Sequence, residues 1–418
     1  MENILKELEE RGLIKDFSNR EAVYELLNSK QTIYCGFDPT NKSLHIGNFL
    51  MIITLMRFQR YGHRIIGLVG GATGMIGDPS GKSKERAFLT ADDVKFNVEC
   101  IKKQLSKYLD FSSEDKGILF NNYDWIKNLT LIDYLRDYGK LFNVNYMLNK
   151  DVVASRLDVG ISYTEFSYML LQSMDFLKLY RDYGCSLQIG GSDQWGNLTA
   201  GLELIRKAEG EEKTNAECMV LHLITRSDGK KFGKSEDGAL FLDEELTSPY
   251  KLYQFFLNST DEDAIHYTKV FTFVPMEEIY ELEKEHLANL GQRIAQKRLA
   301  YEVTAIVHGK EKADEAVEMS RVLFTGEYSK LKENQIVELF NNKMIEVEDN
   351  LKLEDLLINT QLCKSKREAR ELINGNSITV NGNKFNVLDK VVTKEDALYN
   401  KYLVIRKGKK TYTLAVIK

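Results

Sequence analysis

The chain is 418 residues long, 43% hydrophobic and 28% charged, the profile of a globular protein with room for two or three domains, which excludes a disordered or fibrous chain. Its five cysteines, Cys35, Cys100, Cys185, Cys218 and Cys363, are widely spaced with no Cys-x-x-Cys pair, which argues against a disulfide framework or a structural zinc site. The net charge of −5 is unevenly spread: residues 351–418 carry 14 Lys and Arg against 7 Asp and Glu, so a small basic module, suited to holding a polyanion, follows an acidic body.

The opening stretch MENILKELEERG is charged and amphipathic, unlike a signal peptide. The longest apolar run, FLMIITLM, stops at Arg57, well short of the ~18 residues of a membrane span. Together with the cysteine pattern, these features predict a reduced, cytoplasmic protein that does not enter a membrane.

In chain order, the apolar runs QTIYCGF, HRIIGLVG, KGILFNN and CSLQIGG read as strands, with helical periodicity between them, notably over residues 46–61 and 163–180. This alternation predicts an α/β fold over residues 1–247, a Rossmann-like, doubly wound parallel sheet with helices on both faces and its ligands at the carboxyl ends of the strands. Residues 248–336 turn helical and charged, which predicts a separate helical domain. The module 351–418 reads as α+β: a helix with a basic face (CKSKREARELI), a short strand between the turn signals Asn374-Gly375 and Asn381-Gly382, and a closing hairpin in KYLVIRKGKKTYTLAVI.

Four stretches could carry chemistry. The first, GGATGMIGDPSGKS (residues 70–83), ends like a phosphate-binding P-loop but has Ile76 where that motif needs glycine. The second, DPTNKSLHIGNFL (38–50), opens a helix whose first-turn amides and positive dipole end favour an anion. There His45 either donates to a phosphate or merely caps the helix, and Gly47 either admits a flat base or merely packs. The third, SDGKKFGKSEDG (227–238), is either a solvated loop or a cover for a triphosphate, with Lys231 and Lys234 against developing charge. In the fourth, YTEFSYMLLQSMDFLKLY, Tyr168, Gln172 and Asp175 share one face of an apolar helix, as a buried structural network or as a site for a polar ligand. Tyr34, on the first strand, adds another phenol.

Taken together, YCGFDPT, SLHIGN, GGATGMIGDPSGK, FSYMLLQ, IGGSDQWGN and KFGKS, in that order and over nearly the whole chain, resemble the bacterial tyrosyl-tRNA synthetases. Residues 45–48 and 231–235 are similar to the HIGH and KMSKS signatures of class I aminoacyl-tRNA synthetases. The tail resembles the small RNA-binding domain that family shares with a ribosomal protein. Two departures stand out: Asn48 replaces the final histidine of the first signature, and Phe232 and Gly233 replace Met and Ser in the second.

The resemblance implies a ligase that activates L-tyrosine with ATP to tyrosyl adenylate and pyrophosphate, then passes tyrosine to the terminal ribose of tRNA(Tyr). It implies that Tyr34 and Asp175 hold the phenolic hydroxyl, so that phenylalanine would leave both buried without a partner, and that Tyr168, Gln172 and Asp78 hold the α-amino group. Gly191, Asp193 and Gln194 are similar to contacts of the adenylate's ribose and tyrosyl carbonyl. Asp38, His45, Gly47, Asn48, Lys231, Lys234 and Ser235 are expected around ATP. Thr40, His45, Lys82, Arg86, Lys231 and Lys234 are expected to stabilise the transition state. Mg2+ is expected to arrive with ATP, with no metal held by the protein itself, and the family's symmetric dimers imply a homodimer that grips tRNA through its helical and basic modules. The rival readings are a tryptophanyl-tRNA synthetase, a short adenylyltransferase, and a non-catalytic RNA-binding relative of the synthetases.

Overall fold

The computed structural model describes residues 2–418 apart from 81–88, 159, 228–231, 236–237, 341–342 and 409–410, with the backbone alone at 151, 152, 234 and 235. Two compact units follow one another, Met1–His308 and Gly309–Lys418. The helical stretch expected over 248–336 is therefore shared between them.

The first unit is built on a six-stranded sheet of β1 (Ile14–Phe17), β2 (Thr32–Phe37), β3 (Arg64–Val69), β4 (Gly117–Asn121), β5 (Cys185–Gly191) and β6 (Glu217–Leu221), ordered β1-β6-β5-β2-β3-β4. The four strands legible in the sequence, β2 to β5, run parallel, as does β6, while β1 closes one edge antiparallel to β6. β1 and β6 carry weak sequence signals: IKDF has two charges in four residues, and β6 opens on Glu217. That glutamate is buried and accepts a hydrogen bond from Ser18 Oγ, and burial raises its pKa.

From β2 the chain builds outward to β3 and β4, then returns to the other side of β2 for β5 and β6. The loops leaving β2 and β5 thus diverge, and a crevice opens between them at the carboxyl ends of the strands, where doubly wound sheets hold their ligands. Beneath it lies a core that includes Tyr34, Ile66, Leu68, Phe176, Leu198 and Val220. Each fully buried aliphatic or aromatic side chain there contributes roughly 2 kcal/mol through removal from water.

Helix Tyr163–Tyr183 covers this core. Ser162 caps its start by accepting from Glu165 N at 3.2 Å, and Glu165 pairs with Arg156 at 2.9 Å in a buried ion pair that ties the helix to the preceding turn. Helices Pro249–Leu257, Asp261–Phe271, Met276–Ala288 and Ile294–His308 complete the unit. No helix among the described residues is long and apolar enough to cross a membrane.

The second unit holds a five-stranded sheet ordered Asn383–Lys384, Ile378–Val380, Tyr402–Lys407, Thr411–Ile417, Met344–Val347. Tyr402–Lys407 and Thr411–Ile417 form the closing hairpin the sequence predicts. The last strand precedes residue 351, because the charge shift marks where basic residues begin and not where the backbone first pairs. On helix Lys366–Asn374 the expected basic face is partly matched from within the unit: Arg370 pairs with Glu354 at 2.7 Å and Lys366 with Asp355 at 2.6 Å.

Candidate active site

At the carboxyl ends of β2 and β3 the polar face of helix Tyr163–Tyr183 meets a chain of hydrogen bonds. Tyr168 OH donates to Asp38 Oδ2 at 2.8 Å, and Thr73 Oγ1 donates to Asp38 Oδ1 at 2.9 Å. Asn122, fully buried, donates through Nδ2 to Thr73 Oγ1 at 3.1 Å and to Asp175 Oδ2 at 2.9 Å, and its Oδ1 accepts from Ala72 N at 2.7 Å. Trp125 Nε1 donates to Asp175 Oδ1 at 2.8 Å. Gly70 is required at the exit of β3, since any Cβ there would overlap the Asp38 carboxylate and the Thr73 hydroxyl.

Burial dominates the electrostatics of this chain. It pushes the Asp175 carboxyl up from 3.8 to about 7, against the lowering effect of the Asn122 and Trp125 N–H groups, with Asp38 adding to the rise. Tyr34 and Tyr168 are buried phenols whose pKa values lie well above 10, first because of desolvation and then because of Asp175 beside Tyr34 and Asp38 beside Tyr168. Both are neutral hydrogen-bonding groups at physiological pH. Asp175 already has two protein donors, so the expectation that it lacks a partner until a phenol arrives is corrected: Asn122 and Trp125 hold its oxygens in place beforehand.

One turn before Asp175, Gln172 Oε1 is buried with no hydrogen-bond partner among the described residues. A buried carbonyl left in that state costs about 1–3 kcal/mol, which a donor supplied by a ligand recovers. Gln188 Oε1 is in the same condition, on β5 directly beside Tyr34 of β2.

A second cluster gathers around Asp78. Gln194 Nε2 donates to Asp78 Oδ2 at 2.7 Å, Ser80 N donates to Asp78 Oδ1 at 2.9 Å, and Asn197 Nδ2 reaches Ser80 Oγ and Gln194 Oε1, each at 3.1 Å. Gly191 and Asp193 flank it at the end of β5, where a Cβ on Gly191 would stand 2.6 Å from Asp193 Oδ1.

The first signature opens helix Ile46–Arg60 with His45 at the N-cap, its N–H donating to Asn48 Oδ1 at 3.2 Å. His45 is exposed, as is Thr40, whose N–H donates to Asp38 O at 2.9 Å. Gly47 follows His45 closely: a Cβ there would stand 2.8 Å from the imidazole Cε1. The second signature comes to the same place. Ile46 N donates to Leu240 O at 2.8 Å, Leu240 N donates to Gly233 O at 3.0 Å, and Lys234 and Ser235 pair in register with Ala239 and Gly238. Gly233 has φ +75°, and a Cβ there would stand 2.8 Å from Ile46 Cγ2, so glycine is needed for both reasons.

Thus the expected residues Tyr34, Asp38, Tyr168 and Asp175 lie together in one hydrogen-bonded and electrostatic cluster, with Gln172 one turn from Asp175 on the same helix; Asp78 and Gln194 are bonded to each other near Gly191 and Asp193; and Thr40, His45, Gly47 and Asn48 lie before and at the start of helix Ile46–Arg60. Lys82, Arg86 and Lys231 lie outside the described residues, and Lys234 and Ser235 are described by their backbone alone. Thr73, Asn122, Trp125, Gln188 and Asn197 escape the sequence reading. A signal exists for two: Gln188 is polar within an apolar strand, and Asn122 directly follows the carboxyl end of β4. Among the described residues no three His, Cys, Asp or Glu side chains gather as a metal-holding set.

The family model for class I tRNA synthetases of the W and Y type matches residues 27–325, and that of the SYY-like C-terminal domain of tyrosine–tRNA ligases matches residues 335–415. Tyrosine–tRNA ligase 1 of Bacillus anthracis is 50% identical over 415 residues, covering 98% of this chain and 99% of its own. The Bacillus subtilis (strain 168) protein of the same name is 49% identical over 423 residues and covers 100% of both chains. A C-terminally truncated mitochondrial tyrosyl-tRNA synthetase of Aspergillus nidulans superposes with a TM-score of 0.69 at 31% identity, over 78% of this chain and 95% of that one. The W-and-Y model alone leaves two amino acids open; the C-terminal domain and the full-length relatives leave one, and the chain belongs to the tyrosyl-tRNA synthetase family.

Proposed function

We propose that this tyrosine–tRNA ligase divides its work between the buried pocket and the exposed edge beside it. Tyrosine enters ring first. Its hydroxyl meets Tyr34 and Asp175, and its ammonium group meets Tyr168, Asp78 and the unpartnered Gln172 Oε1, with Gln194 at the carbonyl. The carboxylate is already ionised at neutral pH, so no general base is needed when it attacks the α-phosphate of ATP and pyrophosphate leaves. Catalysis is positioning and electrostatic stabilisation of the five-coordinate phosphorus, by Thr40, His45, Lys82, Arg86, Lys231 and Lys234. Asp38, Gly47, Gly191, Asp193 and Ser235 seat the nucleotide. Asn48, with its oxygen turned to the His45 N–H, offers its amide nitrogen to the ribose. Mg2+ comes in with ATP as part of the substrate and offsets the triphosphate charge.

The observation that carries this reading is the buried chain itself: Asp175, Asn122, Thr73, Asp38 and Tyr168 are hydrogen-bonded in turn at the carboxyl ends of β2 and β3, where a doubly wound sheet holds its ligand.

In the second step a terminal ribose hydroxyl of tRNA(Tyr) takes the tyrosyl group. The net basic charge of 351–418 supports a phosphate-gripping role for the module there, and helices of 248–336 would hold the anticodon arm. Exposed apolar side chains crowd one stretch of chain from the end of β4 to the first residue of helix Tyr163–Tyr183: Leu131, Ile132, Leu135, Val144, Leu157 and Tyr163. Such a stretch suits a contact with a second copy, and supports a homodimer. Four of the five cysteines are buried free thiols, as suits a cytoplasmic protein.

The deciding experiment is amino-acid-dependent exchange of labelled pyrophosphate into ATP, run with each of the twenty amino acids. Tyrosine alone should stimulate exchange. Stimulation by tryptophan alone, or by none, overturns the reading.

A further inference from the structure

The two signatures share a floor that the nucleotide-binding sheet does not supply. Phe232, between the two lysines of the second signature, is buried in an aromatic nest. Its ring stacks on Phe271 at 5.2 Å and 11°, and meets Tyr267 edge-on at 5.1 Å and Phe255 at 5.7 Å. These rings belong to helices Pro249–Leu257 and Asp261–Phe271. Phe271 also stacks on Phe49 of the first-signature helix, at 6.2 Å and 13°. Phe49, Phe271 and Phe232 therefore form a ladder of near-parallel rings running from one signature to the other.

The surroundings of the ladder are pinned at both ends. Upstream of the lysine loop, Asp263 accepts from Ser227 N at 3.0 Å and Tyr267 OH donates to Thr225 O at 3.0 Å. At the far end of helix Ile46–Arg60, Arg57 Nη2 donates to Thr272 O at 2.6 Å and to Val270 O at 3.1 Å, fixing that helix on the carbonyls that close Asp261–Phe271. One short helix thus holds the first-signature helix, the stem of the lysine loop and the phenylalanine between the two lysines.

We propose that Phe232 and Phe271 are positioning residues for adenylate formation: the ring ladder holds the Phe232 to Lys234 backbone, in the segment that carries the second-signature lysines, in place relative to His45 and Asn48. The inference rests on the reading that those lysines act on the triphosphate. Neither phenylalanine touches substrate; each acts through the segment it holds. Because the ladder shares no ring contact or hydrogen bond with Asp175 or Tyr34, disturbing it changes the rate of the chemical step and leaves tyrosine recognition alone.

The test uses the full chain with Phe232→Ala, Phe232→Met and Phe271→Leu. Single-turnover adenylate formation should slow by about 30-fold in Phe232→Ala, since a displacement of the order of 1 Å in a catalytic group costs that much or more. Tyrosine affinity by equilibrium dialysis should stay within about twofold of the parent, since the two regions share no partners. Phe232→Met, which keeps an apolar plug without the stacked ring, should recover most of the rate, and Phe271→Leu should fall between. A parent-like rate in Phe232→Ala, or a loss of tyrosine affinity as large as the loss of rate, overturns the proposal. If the unmodified chain shows no tyrosine-dependent exchange, it is the functional reading that has failed, an outcome the parent reports separately from the variants.

Discussion

The buried pocket and the exposed edge of the active site are built on opposite plans. Tyr34 and Asp175 are each 1% exposed and Tyr168 5%, and the polar atoms of Asp175 and Tyr168 are held by neighbours from different elements before any substrate arrives. Thr40 and His45 stand exposed at the edge, and the groups expected to do most there are long cationic side chains. On the proposed function the contrast follows from the two ligands. A phenol is neutral and small, so recognising it takes fixed donors and acceptors in a dry hole, where an unmade hydrogen bond is expensive. A triphosphate carries enough charge to be held by cationic side chains even in water, so its site can stand exposed.

The sharpest way to break that contrast is Asp175→Ala. It removes the proposed acceptor for the substrate hydroxyl and at the same time orphans the N–H groups of Asn122 and Trp125, a combined cost of about 4 kcal/mol or more. Tyrosine-dependent pyrophosphate exchange should fall roughly 10³-fold. A fall of less than about tenfold would mean that the pocket is not organised around this carboxylate.

The pocket also stores a pH dependence. Burial raises Asp175 to about 7 in the fold, against 3.8 as its ordinary value. Below pH 3.8 the carboxyl is protonated in folded and unfolded chains alike, and its contribution to stability is fully present. As the pH climbs to about 7 the unfolded chain releases the proton that the fold retains, so stability is lost through that window, on the order of 4 kcal/mol in all. Melting temperatures taken from about pH 5 to 8 should therefore decline in the parent relative to Asp175→Asn, which has nothing to ionise there. A constant difference between the two across this range contradicts the buried-acid account.

How far this site can be read from sequence follows the same division. The ends of β2, β3 and β5 and the polar stripe of helix Tyr163–Tyr183 are legible because strand alternation and helical spacing are periodic, and a polar residue that breaks the period is conspicuous. Thr73 and Trp125 are not, because they sit in single helical turns where polar residues are ordinary, and for Asn122, whose place just after β4 is the one hint, only the fold shows that it is fully buried and bonded to both Thr73 and Asp175. β1 and β6 escape for a related reason: an edge strand with two charges and a strand opening on a buried glutamate both depart from the apolar pattern of a central parallel strand. The division at 308 is equally hidden, since helices with similar amphipathic patterns lie on both sides of it.

Lys234→Ala should produce the smallest of these effects and the most selective one. The backbone of Lys234 pairs with Ala239, in a hairpin joined through Gly233 and Leu240 to the N–H of Ile46, so the residue stands beside the start of the first-signature helix. Removing the ammonium group takes away stabilisation that grows as charge moves onto the leaving pyrophosphate, worth about 2–3 kcal/mol for a single well-placed group. Adenylate formation should slow by about 10²-fold while tyrosine binding stays within about twofold, because the ammonium group is expected to act on the triphosphate and not on the amino acid. Asp175→Ala moves both quantities. If Lys234→Ala also weakened tyrosine binding, the pocket and the edge would have to be one coupled site, and the separation argued from their opposite construction would not hold.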